Sequence, residues 1–454
     1  MTHFGHFILD AEQNIVFVGF IISSLLAFCL TWIVLNLALK FGFVANPSAN
    51  RWHRRPTALM GGVAIFISFL ITIFYFYPFW LDAHKLSNQA LILLPFASKS
   101  PLLSLMLGAT AIFVIGLVDD IFNLKPSIKL LGQILAAAYV VGSGIYIQIV
   151  PYTWLGMLIT VVWIVGITNA INLLDNMDGL AAGTCVIAAL TLGVFSFQIN
   201  SISLAVFCFI LVGSSSGFLA FNLNPAKIFM GDCGSLFLGF VLATMSVIGN
   251  MYHASNLFLV LAVPIFILII PIFDTALVTI LRKMNRRPIS QGGKDHTSHR
   301  LVNMGLSERR AVWLLLMMSG LSGLTAIIAT HYNATLILVT APLFLLLLVS
   351  FGVFVAGADV YGIQNNTLIS RKITRNMRTL ARAVADGTIV VAGFSLSFLL
   401  KFDGFKSGEQ VELFYSMLAF VFVIKFSLLV AFRLYRSSWQ STNYRHEPRR
   451  VFDF

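Results

Sequence analysis

The chain has 454 residues, of which 58% are hydrophobic and only 11% are charged. Soluble domains carry about 25% charged residues, so this composition excludes a soluble globular protein and indicates an integral membrane protein. The formal net charge of +12 favours anionic lipid headgroups and phosphorylated molecules near the surface that carries it. Nucleic acid is not an expected partner, because the sequence contains no soluble basic domain to bind it.

Apolar runs long enough to cross a bilayer recur along the whole chain. A spanning helix needs about 20 apolar residues and satisfies its own backbone polar groups. The sequence therefore predicts an all-α polytopic membrane protein with about eleven spans in its first part and about two near its C-terminus. The predicted spans are 15–39, 59–80, 102–118, 127–149, 151–168, 179–198, 202–221, 234–250, 256–281, 311–330, 334–356, 384–400 and 411–432.

Lys and Arg are distributed unequally between the two sides of this map. With the N-terminus outside, 25 of the 30 Lys and Arg residues fall in inside loops or in the C-terminal tail, and four fall in outside loops. Cytoplasmic loops are normally enriched in these residues. The sequence therefore predicts an N-out, C-in orientation.

Seven of the 18 acidic residues lie in or beside polar loops on the predicted cytoplasmic side. Unpaired carboxylates at a membrane boundary repel one another. Brought together by folding, they suit a divalent cation and phosphate oxygens, which points to phosphoryl transfer at the membrane surface. These residues are Asp119, Asp120, Asp175, Asp178, Asp232, Asp274 and Asp295.

Two adjacent carboxylates end the third predicted span. Asp119 and Asp120 cannot share one helix face. One is therefore expected to face a metal or a nucleophile, and the other to be hydrogen-bonded into the loop. A pair of solvated helix-end charges explains the same dipeptide equally well.

The segment Asn169–Leu180 carries three Asn and two Asp between two spans. If the segment is helical, Asn172, Asp175 and Asp178 repeat every three residues and share a face. Asn side chains both donate and accept hydrogen bonds, which suits a nucleobase or a sugar as well as a carboxylate site. The alternative is a polar turn capped by Asn and Asp.

The segment Asn222–Ser235 combines glycines, one carboxylate and one aromatic ring. Gly231 and Gly234 permit close approach of the backbone to phosphate, and the following helix offers its N-terminus to anions. Asp232 can hold Mg²⁺, and Phe229 can stack on a base. The alternative is an Asp cap on the eighth span.

A histidine loop at 292–300 places His296 and His299 three residues apart, with Lys294 and Arg300 beside them. These cations and imidazoles suit the neutralisation of a pyrophosphate. A zinc site lacks a clear third ligand. The alternative is a solvated basic loop.

The segment Arg51–Thr57 is a basic interfacial loop followed by Gly61 and Gly62. It is suited to meet a lipid phosphate, and His53 is a candidate substrate contact within it. An equally good interpretation is a positive-inside anchor, with Trp52 at the interface.

Taken in chain order, from Pro56 and Thr57 to the histidine loop, the motifs resemble those of the polyprenyl-phosphate N-acetylhexosamine-1-phosphate transferases, over about residues 40–305. The resemblance implies transfer of a sugar 1-phosphate, with GlcNAc favoured, from a UDP-sugar to undecaprenyl phosphate, with release of UMP. It implies Mg²⁺, or Mn²⁺ in its place, as cofactor. It also implies an active site on the cytoplasmic face of the bacterial inner membrane, where cell-envelope polysaccharide synthesis begins. The chain is also expected to form a homodimer.

The same resemblance assigns the residues. Asp119 would activate the lipid phosphate or attack the pyrophosphate, in a one-step or a covalent two-step reaction, and Asp120 would support the site. The catalytic candidates are Asp119, Asp120, Asp175, His296 and His299; the substrate-binding candidates are Asn172, Asp178, Asn222, Phe229, His53, Lys294 and Arg300; the metal ligands are Asp232 and Asp175.

The last loop departs from the family pattern. The peptidoglycan branch carries three consecutive histidines and many initiating enzymes carry His-x-His-His, whereas this chain has His-x-x-His between His296 and His299. The departure favours a smaller UDP-N-acetylhexosamine. Transfer of phospho-MurNAc-pentapeptide in peptidoglycan synthesis is the alternative.

The expected division is a transferase unit at 1–356 and a membrane appendage at 357–454. From about Arg371 the chain is similar to the membrane-anchored start of polysaccharide-biosynthesis sugar dehydratases and epimerases, on the basic stretch Arg371–Arg382 and on Arg433–Trp439. Those proteins continue into a nucleotide-binding domain with a Gly-rich loop, and the chain is expected to stop before it. A truncated fusion, a split gene and a docking module for a later pathway enzyme all fit this expectation.

Two other function classes were weighed against the transferase. The spacing of Asp175, Asp178 and Gly179 is similar to the start of the CDP-alcohol phosphotransferase motif, but residues 180–200 lack the Arg and the two further Asp that the motif needs. A secondary transporter would place its carboxylates near the middle of the membrane and show inverted repeats.

Overall fold

The computed structural model describes residues 2–45, 56–84, 101–148, 152–251, 263–288, 293–332 and 334–356, with short stretches between 386 and 425. His53 and the two basic C-terminal stretches, 371–382 and 433–439, lie outside the described residues. The helices are α1 (Thr2–Phe41), α2 (Gly61–His84), α3 (Pro101–Phe122), α4 (Pro126–Gly142), α5 (Thr153–Leu174), α6 (Leu180–Gln198), α7 (Ile202–Asn222), α8 (Gly231–Met251), α9 (Ile269–Met284), α10 (Thr297–Asn303), α11 (Glu308–Tyr332) and α12 (Ala334–Ala356).

The structure confirms the predicted class of an all-α polytopic membrane protein. Within the described ranges, seven helices are long and apolar enough to cross a membrane, namely α1, α3, α5, α6, α7, α8 and α11. Shorter apolar helical segments lie in α2, α4 and α12. The number of spans and the N-out orientation stay predictions.

The chain forms two compact units. One comprises residues 1–337 with 354–365, and the other comprises 338–353 with 366–454. All residues of the candidate site that the structure describes belong to the first unit. The predicted boundary between 356 and 357 stays a prediction.

Helix α8 is the centre of the first unit, and it packs against α2, α3, α5, α6 and α7. Glycines permit this packing at its N-terminal end. A Cβ on Gly62 would lie 2.2 Å from the backbone nitrogen of Gly234, and one on Gly116 would lie 2.6 Å from the carbonyl oxygen of Asp232. Since apolar burial drives helices together only weakly in lipid, small residues that allow close backbone approach are the usual means of association. They bring α2 and α3 onto the start of α8.

A short hairpin fixes the entry to α2. Val44–Ala45 (β1) pairs antiparallel with Thr57–Ala58 (β2). The Ala58 carbonyl accepts a hydrogen bond from the Phe229 amide at 2.8 Å, and the Gly61 amide donates to the Phe229 carbonyl at 2.9 Å. The loop before α8 is thereby attached to the start of α2, at the same end of the bundle as the predicted acidic loops.

Within the described residues, the predicted span 256–281 is not one uninterrupted helix. Residues 263–267 are helical, Leu268 forms a turn, and α9 begins at Ile269. Pro271 has no amide N–H to donate to the carbonyl four residues earlier, so a continuous helix would lose a hydrogen bond there. The loop that follows contains the short helix α10, which the sequence did not predict.

Candidate active site

Four acidic residues of the first unit lie at the ends of three packed helices. Asp119 and Asp120 lie in the last turn of α3, Asp175 follows α5 directly, and Asp232 is the second residue of α8. Because α3 and α5 both pack on α8, these ends converge at one end of the bundle. These four carboxylates lie at helix ends, which differs from the mid-membrane carboxylates expected of a transporter.

A lysine joins two of these carboxylates. The Nζ of Lys129, in the first turn of α4, donates to Asp119 Oδ2 at 2.9 Å and to Asp232 Oδ2 at 2.9 Å. The other Asp119 oxygen accepts the Leu124 amide at 2.7 Å. From the sequence, Lys129 was identified only as one of the positive charges of the predicted inside loops. Its contacts within the candidate site were not predicted. Its position in the first turn of an otherwise apolar helix was the available signal.

An asparagine completes the contacts of Asp232. The Nδ2 of Asn172 donates to Asp232 Oδ1 at 3.0 Å and to Ser235 Oγ at 2.9 Å. The two oxygens of Asp232 therefore point toward residues from α4 and α5. Asp232 is the carboxylate at which α4, α5 and α8 are joined.

Asp120 faces a different partner from Asp119, as expected for adjacent helix-end residues. Its two oxygens accept the backbone amides of Asp232 at 2.8 Å and Cys233 at 3.0 Å, so it caps the N-terminus of α8. Gly231 has a φ of 76°, and a Cβ there would lie 2.6 Å from Asp120 Oδ2. The cap on α8 therefore comes from α3, and the alternative of Asp232 as the cap is wrong.

The condition under which Asn172, Asp175 and Asp178 would share one helix face is not met, because the segment is not helical throughout. Helix α5 ends at Leu174, and residues 175–179 form a turn. Gly179 leads out of the turn with a φ of 76°, a conformation that glycine adopts without steric cost. The turn sends Asp175 and Asp178 to different partners.

Two predicted substrate contacts hold loops together in this conformation. Asp178 Oδ2 accepts the Asn224 side-chain amide at 3.1 Å and the Ala226 backbone amide at 2.9 Å. Asn222 is buried, accepts the Gly179 amide at 3.0 Å and donates to a backbone carbonyl at 2.9 Å. Phe229 is partly exposed in the same loop.

Asp175 lies in an excess of negative charge. Burial, and to a smaller extent the charges of Asp232, Asp120 and Asp178, together raise the pKa of this carboxyl to about 7. Lys129 is the cation that contacts two carboxylates of this group. A surplus of carboxylate over ammonium charge favours the binding of a further cation.

The donor chemistry fits Mg²⁺. Asp232 and Asp175 offer the hard oxygen ligands that this ion prefers, and Mg²⁺ commonly uses one or two carboxylates together with substrate phosphates. Among the described residues, no three His, Cys, Asp or Glu side chains are already gathered around one point. The remaining ligands would therefore come from substrate and water.

Helix α9 holds the histidine loop through two buried contacts. Asp274 lies inside this helix, not in or beside a polar loop as predicted, and is 2% exposed. Its Oδ2 pairs with His296 Nδ1 at 2.7 Å, and its Oδ1 accepts the Thr297 amide at 2.7 Å. Two turns along α9, Arg282 donates through Nε and Nη2 to the Asp295 carboxylate, both at 2.7 Å.

The alternative of a solvated basic loop is wrong for most of this segment. His296, His299 and Arg300 are all buried, and Arg300 Nε donates to the Asp295 carbonyl at 2.8 Å. Lys294 is partly exposed. Burial, with a smaller contribution from the neighbouring His296, lowers the pKa of His299 to about 4. His299 is therefore neutral at pH 7.

One hydrogen bond joins the histidine loop to the carboxylate site. Ser298 Oγ donates to Asn176 Oδ1 at 2.6 Å, and Asn176 belongs to the turn between Asp175 and Asp178. The sequence identified both segments but assigned neither residue a role. The bond places the histidine loop beside the turn that carries the two aspartates.

Residues 102–250, which include the α3, α5 and α8 carboxylates, match the model of glycosyl transferase family 4. A Bacillus subtilis protein named probable undecaprenyl-phosphate N-acetylglucosaminyl 1-phosphate transferase is 36% identical over 329 residues, which cover 70% of this chain and 86% of the relative. This chain belongs to glycosyl transferase family 4.

Two further members of the family carry related names. A Mycolicibacterium smegmatis decaprenyl-phosphate N-acetylglucosaminephosphotransferase is 32% identical, with 68% of this chain and 80% of the relative covered. A Staphylococcus epidermidis phospho-N-acetylmuramoyl-pentapeptide-transferase is 29% identical, with 68% of this chain and 98% of the relative covered. These relatives are named for phosphotransfer involving different sugars.

Proposed function

We propose that this family member transfers an N-acetylhexosamine 1-phosphate, with GlcNAc the favoured sugar, from a UDP-sugar to undecaprenyl phosphate and releases UMP. The observation that carries the proposal is the pair of carboxylates Asp119 and Asp232 on one Lys129 ammonium, at converging helix ends. Phosphoryl transfer needs positioning and charge neutralisation more than covalent chemistry from the protein. The B. subtilis and M. smegmatis relatives support GlcNAc by their names.

In this proposal Asp119 activates the lipid phosphate or attacks the diphosphate. Lys129 holds Asp119 toward Asp232 and offers positive charge to phosphate oxygens. Asp120 acts through the backbone, because it fixes the start of α8 and thereby the position of Asp232. Asp232 and Asp175 would hold Mg²⁺, which when bound neutralises charge on the diphosphate.

The substrate is proposed to lie between the carboxylate site and the histidine loop. His296, His299, Lys294 and Arg300 are proposed near the diphosphate and the sugar. The proposed contacts to the uridine are Asn172, Asp178, Asn222 and Phe229, with His53 as a further substrate contact. Asp178 and Asn222 would exchange their present hydrogen bonds for substrate, since both carry protein partners in this conformation.

The reaction is proposed at the cytoplasmic face of the bacterial inner membrane, where it would initiate a cell-envelope polysaccharide. The basic inside loops of the predicted topology supply a surface that attracts both anionic substrates. Apolar helices beside the site provide a place for the lipid tail. The segment 357–454 is proposed as a docking module for a later enzyme.

The test is UMP release by the purified full-length protein with UDP-GlcNAc, undecaprenyl phosphate and Mg²⁺. Lipid-dependent UMP that is abolished by EDTA and by Asp119→Asn, and retained by the exposed control Lys125→Gln, supports the proposal. Asn at position 119 still accepts the Leu124 amide, so the variant is expected to fold. No UMP from a panel of UDP-sugars, with folded protein, would contradict it.

Two further measurements refine the assignment. UDP-MurNAc-pentapeptide in the donor panel tests the alternative suggested by the S. epidermidis relative. UMP formed without lipid, in an amount equal to the enzyme, would identify a covalent intermediate. UMP formed only with lipid identifies a one-step transfer.

A further inference from the structure

Helix α9 supplies the histidine loop with a carboxylate that has no direct place in the proposed reaction. Asp274 lies in the middle of this helix and is 2% exposed. The turn on which Asp175 and Asp178 lie belongs to a different part of the chain. Asp274 contacts the loop at the His296 ring and at the Thr297 amide, and of these two His296 is the candidate catalytic residue.

The contact defines which nitrogen of His296 is available. Nδ1 lies 2.7 Å from Asp274 Oδ2. A carboxylate accepts and does not donate, so this nitrogen must carry the proton. The Nε2 atom then holds the lone pair of the neutral ring, and it is the atom that gains a proton when the ring becomes charged.

A backbone hydrogen bond also holds the Asp274 carboxylate in place. The other Asp274 oxygen accepts the Thr297 amide at 2.7 Å, so one carboxylate fixes both the ring and the peptide that follows it. His296 itself is 6% exposed. Buried side chains held at two points lose little further freedom when substrate binds, which is what a catalytic constellation requires.

The loop is also held against the carboxylate site. Ser298 donates to Asn176, beside Asp175, and the Arg282–Asp295 ion pair attaches the preceding residue of the loop to α9. Asp274 is a further attachment of the loop, and it contacts an imidazole nitrogen directly.

We propose that Asp274 is a positioning residue that fixes His296 with Nδ1 protonated and with Nε2 as its working atom toward substrate. The proposal rests on the proposed function for its effect on turnover, whereas the protonation of Nδ1 is independent of that function. Partners that orient a metal-ligating histidine through its second nitrogen typically change metal affinity or activity by about 10- to 100-fold when removed, and we expect the same range for the partner of His296.

The first test is a double-mutant cycle on UMP release by the full-length protein. Asp274→Asn retains an oxygen for the Thr297 amide and loses the acceptor for Nδ1. We expect kcat to fall about 10- to 100-fold while KM for the UDP-sugar changes less than threefold. In a His296→Ala background, Asp274→Asn should have no further effect on kcat, since residues that act as a unit are not additive.

Thr275→Val is the matched control on the same helix. The Thr275 hydroxyl is buried and has no hydrogen-bond partner among the described residues, so this isosteric change is expected to leave kcat unaltered. Equal losses in Thr275→Val and Asp274→Asn would show a general effect of α9 and overturn the proposal. Additive losses in the cycle, or wild-type kcat in Asp274→Asn or His296→Ala, would do the same.

The second test does not depend on activity. Nitrogen-15 NMR of histidine-labelled protein, with the His296 signals assigned by their loss in His296→Gln, reports which ring nitrogen is protonated. We expect Nδ1 protonated in the wild type and a changed pattern in Asp274→Asn. A neutral wild-type ring protonated at Nε2 would overturn the positioning proposal, even if UMP release is found. Absence of UMP release with Nδ1 protonated would instead contradict the proposed function.

Discussion

The carboxylate site and the histidine loop meet at Asn176 and Ser298, and they differ in how far their charged side chains are paired and buried. In the carboxylate site, one lysine contacts Asp119 and Asp232, and the side chains of Lys129 and Asp232 are 23% and 29% exposed. Beneath the histidine loop, Arg282 and Asp295 pair with each other and are 7% and 4% exposed. Charge left in excess at a partly open site is available to substrate, whereas charge that is paired and buried holds the fold.

Asp232→Asn is expected to give the largest loss of activity, with a much smaller effect on stability. The amide is isosteric with the carboxylate but removes the negative charge that joins α4, α5 and α8 at the site. UMP release should fall about 1,000-fold, at the upper end for loss of one electrostatic group. The melting temperature in detergent should change much less than activity, because relief of the repulsion from Asp175 partly offsets the lost ion pair with Lys129. Activity within tenfold of wild type would contradict a central role for Asp232.

Arg282→Gln is expected to do the reverse. It leaves the buried Asp295 carboxylate without its ion-pair partner, which typically costs about 3–5 kcal/mol of unfolding free energy. Denaturant unfolding in detergent micelles, monitored by tryptophan fluorescence, measures this loss. A cost below about 1 kcal/mol, the range of an exposed ion pair, would remove the contrast between the two regions.

Lys129→Gln tests the missed site residue against a near neighbour. Hydrogen bonds to charged groups contribute about 1.5–3 kcal/mol, so UMP release should fall about 10- to 100-fold. Lys125 lies one turn earlier, is exposed and makes no side-chain cap on α4. Lys125→Gln is the matched control and should retain wild-type activity. Equal losses in both variants would indicate a general effect of surface charge.

The histidine region should weaken in mild acid. The folded-state pKa of His299 is lowered to about 4 from the ordinary value of 6.5. Between these values the unfolded chain binds a proton that the folded chain does not, so this stability is complete above pH 6.5 and is lost as the pH falls toward 4. The loss is about 1.4 kcal/mol per pH unit. Melting curves at pH 7 and 5.5 should show a smaller acid shift for His299→Gln than for wild type; equal shifts would contradict the lowered pKa.

The smallest effect is expected one turn deeper in α4. Gln133 and Asn169 join α4 to α5 through their side-chain amides. Gln133→Leu should cost about 0.6 kcal/mol, the average for such bonds in membranes, because Asn169 keeps its bond to the Val165 carbonyl at 2.8 Å. Thermal unfolding measures the change. A loss above about 2 kcal/mol would show that this pair holds α4 and α5 together.

The sequence alone determined the class of the fold and the segments of the site. Long apolar runs leave the backbone no alternative to helices in lipid, and charged residues collect at the ends of those helices because lipid excludes them. The acidic loops at 119–120, 175–178 and 232 were therefore recognisable by position and composition. The bounds of α5 and α9 could not be recognised in this way. Neither the three-residue spacing of Asn172, Asp175 and Asp178 nor the apolar run at 256–281 shows where a turn begins.

Only the tertiary structure determined which side chains form hydrogen bonds with one another. Asp119 and Asp120 are neighbours in the chain, yet one meets Lys129 and the other caps α8, since consecutive residues on a helix point in directions about 100° apart. Asp274 and His296 are 22 residues apart and meet because the histidine loop folds back on α9. Composition sets where charges are tolerated, but hydrogen bonds at 2.7–3.0 Å depend on helix packing that no local pattern records.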